Sequence, residues 1–183
     1  MFPKIGRSFF PIPPKSTDTS FLAGVKNAKL QKGVFIATLF STFVMEQLVW
    51  DTQFISYPVL KKIRTLDEKT FVSVHQEYVK RLGVPIYLPS SVYLLTTLLF
   101  LFIRPSNIPL RYPLIMNALN VLAVTNTFGQ LVPIHIRIHR EQKASAQDVQ
   151  DLINLNRTRF GLVVINSLIM LYLLARSSEH KEA

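Results

Sequence analysis

A chain of 183 residues is long enough for one compact domain, and a net charge of +10 on a soluble protein would point to nucleic acid or another acidic partner. Here the apolar residues are gathered into blocks, and Lys and Arg fall mostly between them, where they hold helix ends at lipid headgroups. The lipid bilayer is therefore the expected partner and nucleic acid is set aside. The absence of cysteine excludes disulfides, thiolate metal sites, iron-sulfur clusters and a cysteine nucleophile.

Residues 1–33 read as a basic, proline-rich N-terminal tail that ends in Lys26, Lys29 and Lys32. It lacks the continuous apolar core of a secretory signal, and Pro3, Pro11, Pro13 and Pro14 would interrupt the amphipathic helix of an organellar presequence. The first apolar block runs from Val34 to about Tyr57, and Pro58 with Lys61, Lys62 and Arg64 marks its exit. From Asp67 to Leu82 the pattern becomes amphipathic, with Phe71, Val74, Tyr78 and Leu82 on one helical face. That spacing predicts an additional interfacial helix.

The second block, Val84 to Ile103, carries no charge and supplies about 20 residues, enough for a ~30 Å hydrocarbon core. Pro85 and Pro89 are expected in its entry turns, where proline is best tolerated. After a proline-rich connection comes a third block, Leu114 to Ile134, then a basic segment from His135 to Arg159. The fourth block is Phe160 to Ala175, followed by a polar tail, 176–183. The predicted fold class is all-α: an integral membrane four-helix bundle, up-down-up-down, spanning residues 34–175, multi-pass in a membrane whose identity the sequence leaves open. Basic residues divide almost equally between the two sides, so the positive-inside rule assigns no orientation. No internal repeat stands out.

This topology gathers one rim of polar residues from the end of helix one, the amphipathic segment, the end of helix three and the start of helix four. Glu46 lies about 18 Å along its helix from Val34, well inside the membrane. A carboxylate there costs on the order of 2.5 to 3.5 kcal/mol, so it is either a proton-handling or ligand-binding acid, or is held by a hydrogen bond to an amide of helix three. Trp50 and Gln53 follow at helical spacing and are expected to share its inward face. Asn126 and Gln130, four apart, either line a cavity together or bond across helices as packing contacts.

His75 is expected to point into the bundle as a structural histidine. His135 and His139 have the spacing of a two-histidine metal site but lack the intervening glutamate of a metalloprotease. No motif calls for a metal or a cofactor, and no P-loop, dinucleotide fingerprint or nucleophile elbow is present.

Val132-Pro133-Ile134-His135, followed by Asn156-Arg157-Thr158-Arg159 and a last apolar helix, resembles a broad family of small four-helix membrane proteins that includes the anthrone-oxygenase-like proteins. Leu155 stands where that family commonly has an aromatic, and His75-Gln76-Glu77-Tyr78 with Arg81 looks like a subgroup of the same layout. The resemblance implies a shared site at His135, Asn156 and Arg159. With Glu46, Gln53, His75, Asn126 and Gln130 these form the candidate ligand-binding set. Two functions follow as expectations: binding or oxidation of a hydrophobic aromatic small molecule at the polar rim, or service as a non-catalytic accessory subunit or assembly factor among membrane-protein partners.

Overall fold

The computed structural model describes residues 27–179, and among these the chain is helical with no strand. The expected N-terminal tail is outside the described residues up to position 26, and so are the last four residues of the expected C-terminal tail. Helix α1 (Ala28–Asp51) starts earlier than the apolar block because Asn27 caps it, accepting from the backbone N–H of Lys29 at 3.1 Å and Leu30 at 3.2 Å. Its buried stripe is Val34, Thr38, Ser41, Met45 and Val49. The small hydroxyls in that stripe let the neighbouring helix approach closely. Thr38 Oγ1 donates to Val34 O at 2.8 Å in its own helix and to Thr96 O at 3.1 Å across the interface, and Ser41 Oγ lies 2.7 Å from Thr96 Oγ1.

Pro58 has no N–H for the carbonyl four residues back, and its ring would strike that carbonyl. The chain answers with a π-helical turn, Thr52–Ser56, in which the Tyr57 N–H reaches back five residues to Thr52 O. Helix α2 (Tyr57–Leu66) follows and ends at Asp67, whose extended backbone (φ −155°, ψ 121°) forms the whole joint to α3 (Glu68–Phe102). Asp67 caps α3 by accepting from Thr70 N at 2.9 Å and Lys69 N at 3.2 Å. The interfacial helix expected at 67–82 is not a separate element: it is the first half of α3, and Pro85 and Pro89 lie inside this 35-residue helix instead of at an entry.

Helix α4 (Arg111–Asn126) repeats the solution of α1. A second π turn, Thr127–Leu131, precedes Pro133, and the Val132 N–H reaches Thr127 O. Helix α5 (Val132–Glu141) then stops where Gln142 turns left-handed at φ 53°, a common helix ending. Helix α6 (Ala146–Glu179) opens on a reciprocal box: the Asp148 N–H donates to Ser145 Oγ at 3.0 Å, and the Ser145 N–H donates to Asp148 Oδ2 at 2.9 Å. Ser145→Ala removes one side of that box and is expected to cost about 1 kcal/mol. The check is thermal unfolding in detergent; an unchanged midpoint would show that α6 starts without this cap.

The two halves of the described chain thus carry the same succession of elements. Each has a helix, a 5-residue π turn, a 10-residue helix after a proline at its second position, a joint and a helix of 35 or 34 residues. This is a likeness in the order of elements. It escapes sequence comparison because equivalent places hold different side chains, such as Tyr57 and Val132 after the two π turns.

Helix α1 packs against α3 and α6, and α4 packs against the same two. One buried cluster joins Val34 and Phe35 at the start of α1, Phe100 at the end of α3, Met116 in α4, and Met170 and Leu173 late in α6. A second gathers Tyr57 and Leu60 of α2, Phe71 and Val72 early in α3, Leu131, Ile138, and Leu152 early in α6. Met45, Val49, Tyr93 and Val163 form a third. The outward faces are apolar as well: Phe40, Leu95, Leu122 and Leu168 each lie more than half exposed.

Among the described residues, three stretches are long and apolar enough to cross a membrane, Ala28–Leu66, Pro85–Phe102 and Ala146–Ser177. The third expected block, Leu114 to Ile134, is divided between the 16-residue α4, the second π turn and the start of α5, and the fourth lies within α6.

Candidate functional site

The two π turns face a common cavity of about 110 Å³. The first contributes Thr52 and leads into Tyr57; the second contributes Thr127, Phe128 and Leu131; α3 supplies Tyr78, Val79 and Leu82; His135 and Arg159 complete the wall. Isolated π turns inside α-helices cluster at functional sites because the extra residue re-aims neighbouring side chains. Here the first π turn buries Thr52 and Gln53.

Arg159, on α6, is 9 % exposed. Its guanidinium donates to Asn156 Oδ1; Asn156 Nδ2 donates in turn to Gln53 Oε1 at 2.9 Å and to Val49 O at 3.5 Å. A polar chain therefore runs from the first π turn through α6 to the cavity wall. Among the described residues the ion pairs are Arg64–Glu68, Arg81–Glu77 and Arg137–Asp148, and Arg159 belongs to none of them. Its Nε and the hydroxyl of Tyr78, both buried, have no hydrogen-bond partner.

Behind the cavity three imidazoles stand together. The ring of the fully buried His75 stacks on Phe71 (centroids 5.5 Å apart, 23° between planes) and on His135 (4.9 Å, 19°), and meets His139 edge-on at 5.9 Å. His75 Nε2 and His135 Nδ1 are 2.8 Å apart, so one donates and the other accepts, which requires at least one neutral ring. Burial pushes both below the ordinary histidine value, His75 to about 4 and His135 to about 3, with the neighbouring imidazoles adding to the effect and Arg159 adding to it at His135. Among the described residues, no group of three or more His, Asp or Glu is placed to hold a metal ion.

Of the candidate residues, the structure brings Gln53, Asn156 and Arg159 into one hydrogen-bonded chain; His135 shares the cavity wall with Arg159, and His75 stands behind it, paired with His135. It separates two others. Glu46 does not face inward: the buried stripe of α1 is centred on Met45 and Val49, which leaves Glu46 about 100° around the helix. There it lines an outer groove with Phe43, Gln47 and the exposed Trp50. Gln130 is exposed, because in the π turn the fifth residue after Asn126, Leu131, takes the inward position. Asn126 is half-buried, its Oδ1 has no partner, and Thr127 and Phe128 line the cavity instead. Tyr57, Thr52 and Tyr78 are site residues that sequence reasoning missed. The available signal was Pro58, seven residues after Asp51 in an apolar helix, where a register shift was required.

A separate buried network ties the helices together away from the cavity. The Tyr93 hydroxyl donates to Asn120 Oδ1 at 2.6 Å, Asn166 Nδ2 donates to the Tyr93 hydroxyl at 2.6 Å and to Asn120 Oδ1 at 2.9 Å, and Asn120 Nδ2 donates to Thr97 Oγ1 at 2.8 Å. Comparison with known protein families, with curated proteins and with solved structures finds no match for this chain.

Proposed function

We propose that this chain is a multi-pass membrane protein, an up-down-up-down bundle of four helices, that binds a hydrophobic aromatic small molecule in the cavity between its two π turns. What carries this reading is the composition of the cavity: Arg159, His135, Tyr57 and Tyr78 converge on a space whose remaining lining, apart from Thr52 and Thr127, is mostly apolar, the pattern of a small-molecule site. The apolar outward faces of α1, α3, α4 and α6 support the membrane setting, and the alternating membership of the buried clusters supports the bundle.

Native mass spectrometry of the protein released gently from its own membrane tests the reading. The wild type is expected to carry a stoichiometric aromatic molecule. Val79→Trp, which fills the cavity, is expected to lose that molecule while staying folded and abundant. A wild type that emerges empty, or a Val79→Trp variant that keeps the same molecule, would overturn it.

The second reading, an accessory subunit, is favoured by one observation: the groove of Phe43, Glu46, Gln47 and Trp50 puts a carboxylate on the outside of a candidate span. Insertion scales charge on the order of 2.5 to 3.5 kcal/mol for such a group in lipid, a cost that a polar partner helix removes. The same spectrum separates the readings. A protein partner that Glu46→Leu releases would favour the subunit, and a lone chain would count against it.

A further inference from the structure

We infer that the cavity takes the oxyanion end of an amphiphile, a carboxylate, phosphate or phenolate joined to an apolar body, and that Arg159 receives it. The inference rests on the ligand-site reading and adds the charge of the ligand. Arginine stays protonated in proteins, so Arg159 is a buried cation. Taking a cation out of water costs several kcal/mol unless an opposite charge and further hydrogen bonds compensate. The chain supplies no carboxylate for it among the described residues, and of the guanidinium nitrogens NH2 is bonded to Asn156 while Nε has no partner.

The Tyr78 hydroxyl is a second buried donor without a partner on the same wall. Two idle donors, one of them charged, on a single cavity describe an acceptor-only ligand group, which is what an oxyanion presents.

The guanidinium is also held ready. Asn156, itself bonded to Gln53 in the π turn, orients it from behind, so binding an anion requires little reordering. Size sets the rest of the ligand. About 110 Å³ is less than the roughly 150 Å³ cavity that holds a benzene ring, so only the head and the first part of the body fit inside. The remainder leaves between Tyr87 and Phe128, two exposed aromatics at the mouth.

The test is equilibrium dialysis of the full chain in phosphatidylcholine nanodiscs against 4-butylbenzoate and its neutral counterpart, 4-butylbenzamide, with empty discs subtracted. The wild type is expected to bind the acid about 10-fold to 100-fold more tightly than the amide, the range of a charge-assisted hydrogen bond. Arg159→Gln is expected to bring that ratio close to one while keeping the affinity for the amide. If Arg159→Gln does not fold, Arg159→Lys is expected to keep part of the preference, and parity in a folded Arg159→Lys would overturn the inference.

Replacing part of the lipid with anionic phosphatidylglycerol identifies the source. Displacement of the acid assigns the anion to a lipid headgroup, and no displacement assigns it to a freely diffusing amphiphile. Equal binding of acid and amide by the wild type would overturn the inference and leave the ligand-site reading standing. Binding of neither probe, by wild type and Val79→Trp alike, would overturn both.

Discussion

Acidification from pH 7 to pH 5 is expected to destabilise the folded protein by on the order of 2 kcal/mol for each of two imidazoles, seen as a fall of at least about 4–8 °C in the thermal midpoint. The cause is the pair His75 and His135. In the folded chain burial holds them near 4 and 3, while free in the unfolded chain they titrate near 6.5. Between those values the unfolded state binds more protons than the folded state, so stability falls as pH falls. The stabilisation is fully present above about 6.5 and is lost progressively toward about 4 for His75 and about 3 for His135.

Protonating both rings also destroys the His75–His135 hydrogen bond, since an imidazolium cannot accept, and it places the new charge close to Arg159. His75→Phe keeps an aromatic ring against Phe71 and removes one titrating group, so its midpoint is expected to be less sensitive to pH. A wild-type midpoint that is flat from pH 7 to pH 5 would show that these imidazoles are not buried neutral.

The helical class was legible in the sequence, because blocks of apolar residues with basic punctuation mark long helices. The hydrogen bonds that join Gln53, Asn156 and Arg159, and His75 with His135, are contacts between residues far apart in the chain. What was not legible depends on register and on partners. Gly83 and Pro85 look like a boundary, yet α3 continues through them, with Phe71 and Val72 packed at one end and Tyr93 and Phe100 packed further along. Tertiary packing overrides the local signal there.

Glu46 is a charge inside an apolar block, but its position does not mark the inward face of α1. The inward face was marked instead by Thr38, Ser41 and Thr42, whose small size allows close helix contact. Counting in fours fails at the second π turn, where Gln130 is exposed and Leu131 takes the inward position.

The largest single-residue effect on stability away from the cavity is expected at Asn120, and comparison with Asn117, one turn earlier on α4, shows why. Asn117 Nδ2 donates to Thr97 O at 2.9 Å and to Pro113 O at 2.8 Å, and its side chain is only half-buried. Losing one cross-helix bond of that kind costs about 0.6 kcal/mol on average inside membranes.

Asn120 is 4 % exposed and serves three partners, accepting from the Tyr93 hydroxyl and from Asn166 while donating to Thr97. Asn120→Leu preserves volume but leaves the Tyr93 hydroxyl buried without an acceptor and reduces Asn166 to its bond with Tyr93 and a 3.5 Å contact to Met116 O. Each orphaned buried group costs about 1–3 kcal/mol, so a loss of roughly 2–4 kcal/mol is expected against about 0.5 kcal/mol for Asn117→Leu.

A double-mutant cycle with Tyr93→Phe decides whether the groups act as a network, because removing the Tyr93 hydroxyl should make Asn120→Leu less costly by more than about 0.5 kcal/mol. If Asn120→Leu proves no more damaging than Asn117→Leu, the three helices are held by packing alone and the amides are incidental. If the coupling is found, Asn120 is the junction through which α3, α4 and α6 set the helix positions on which the cavity depends.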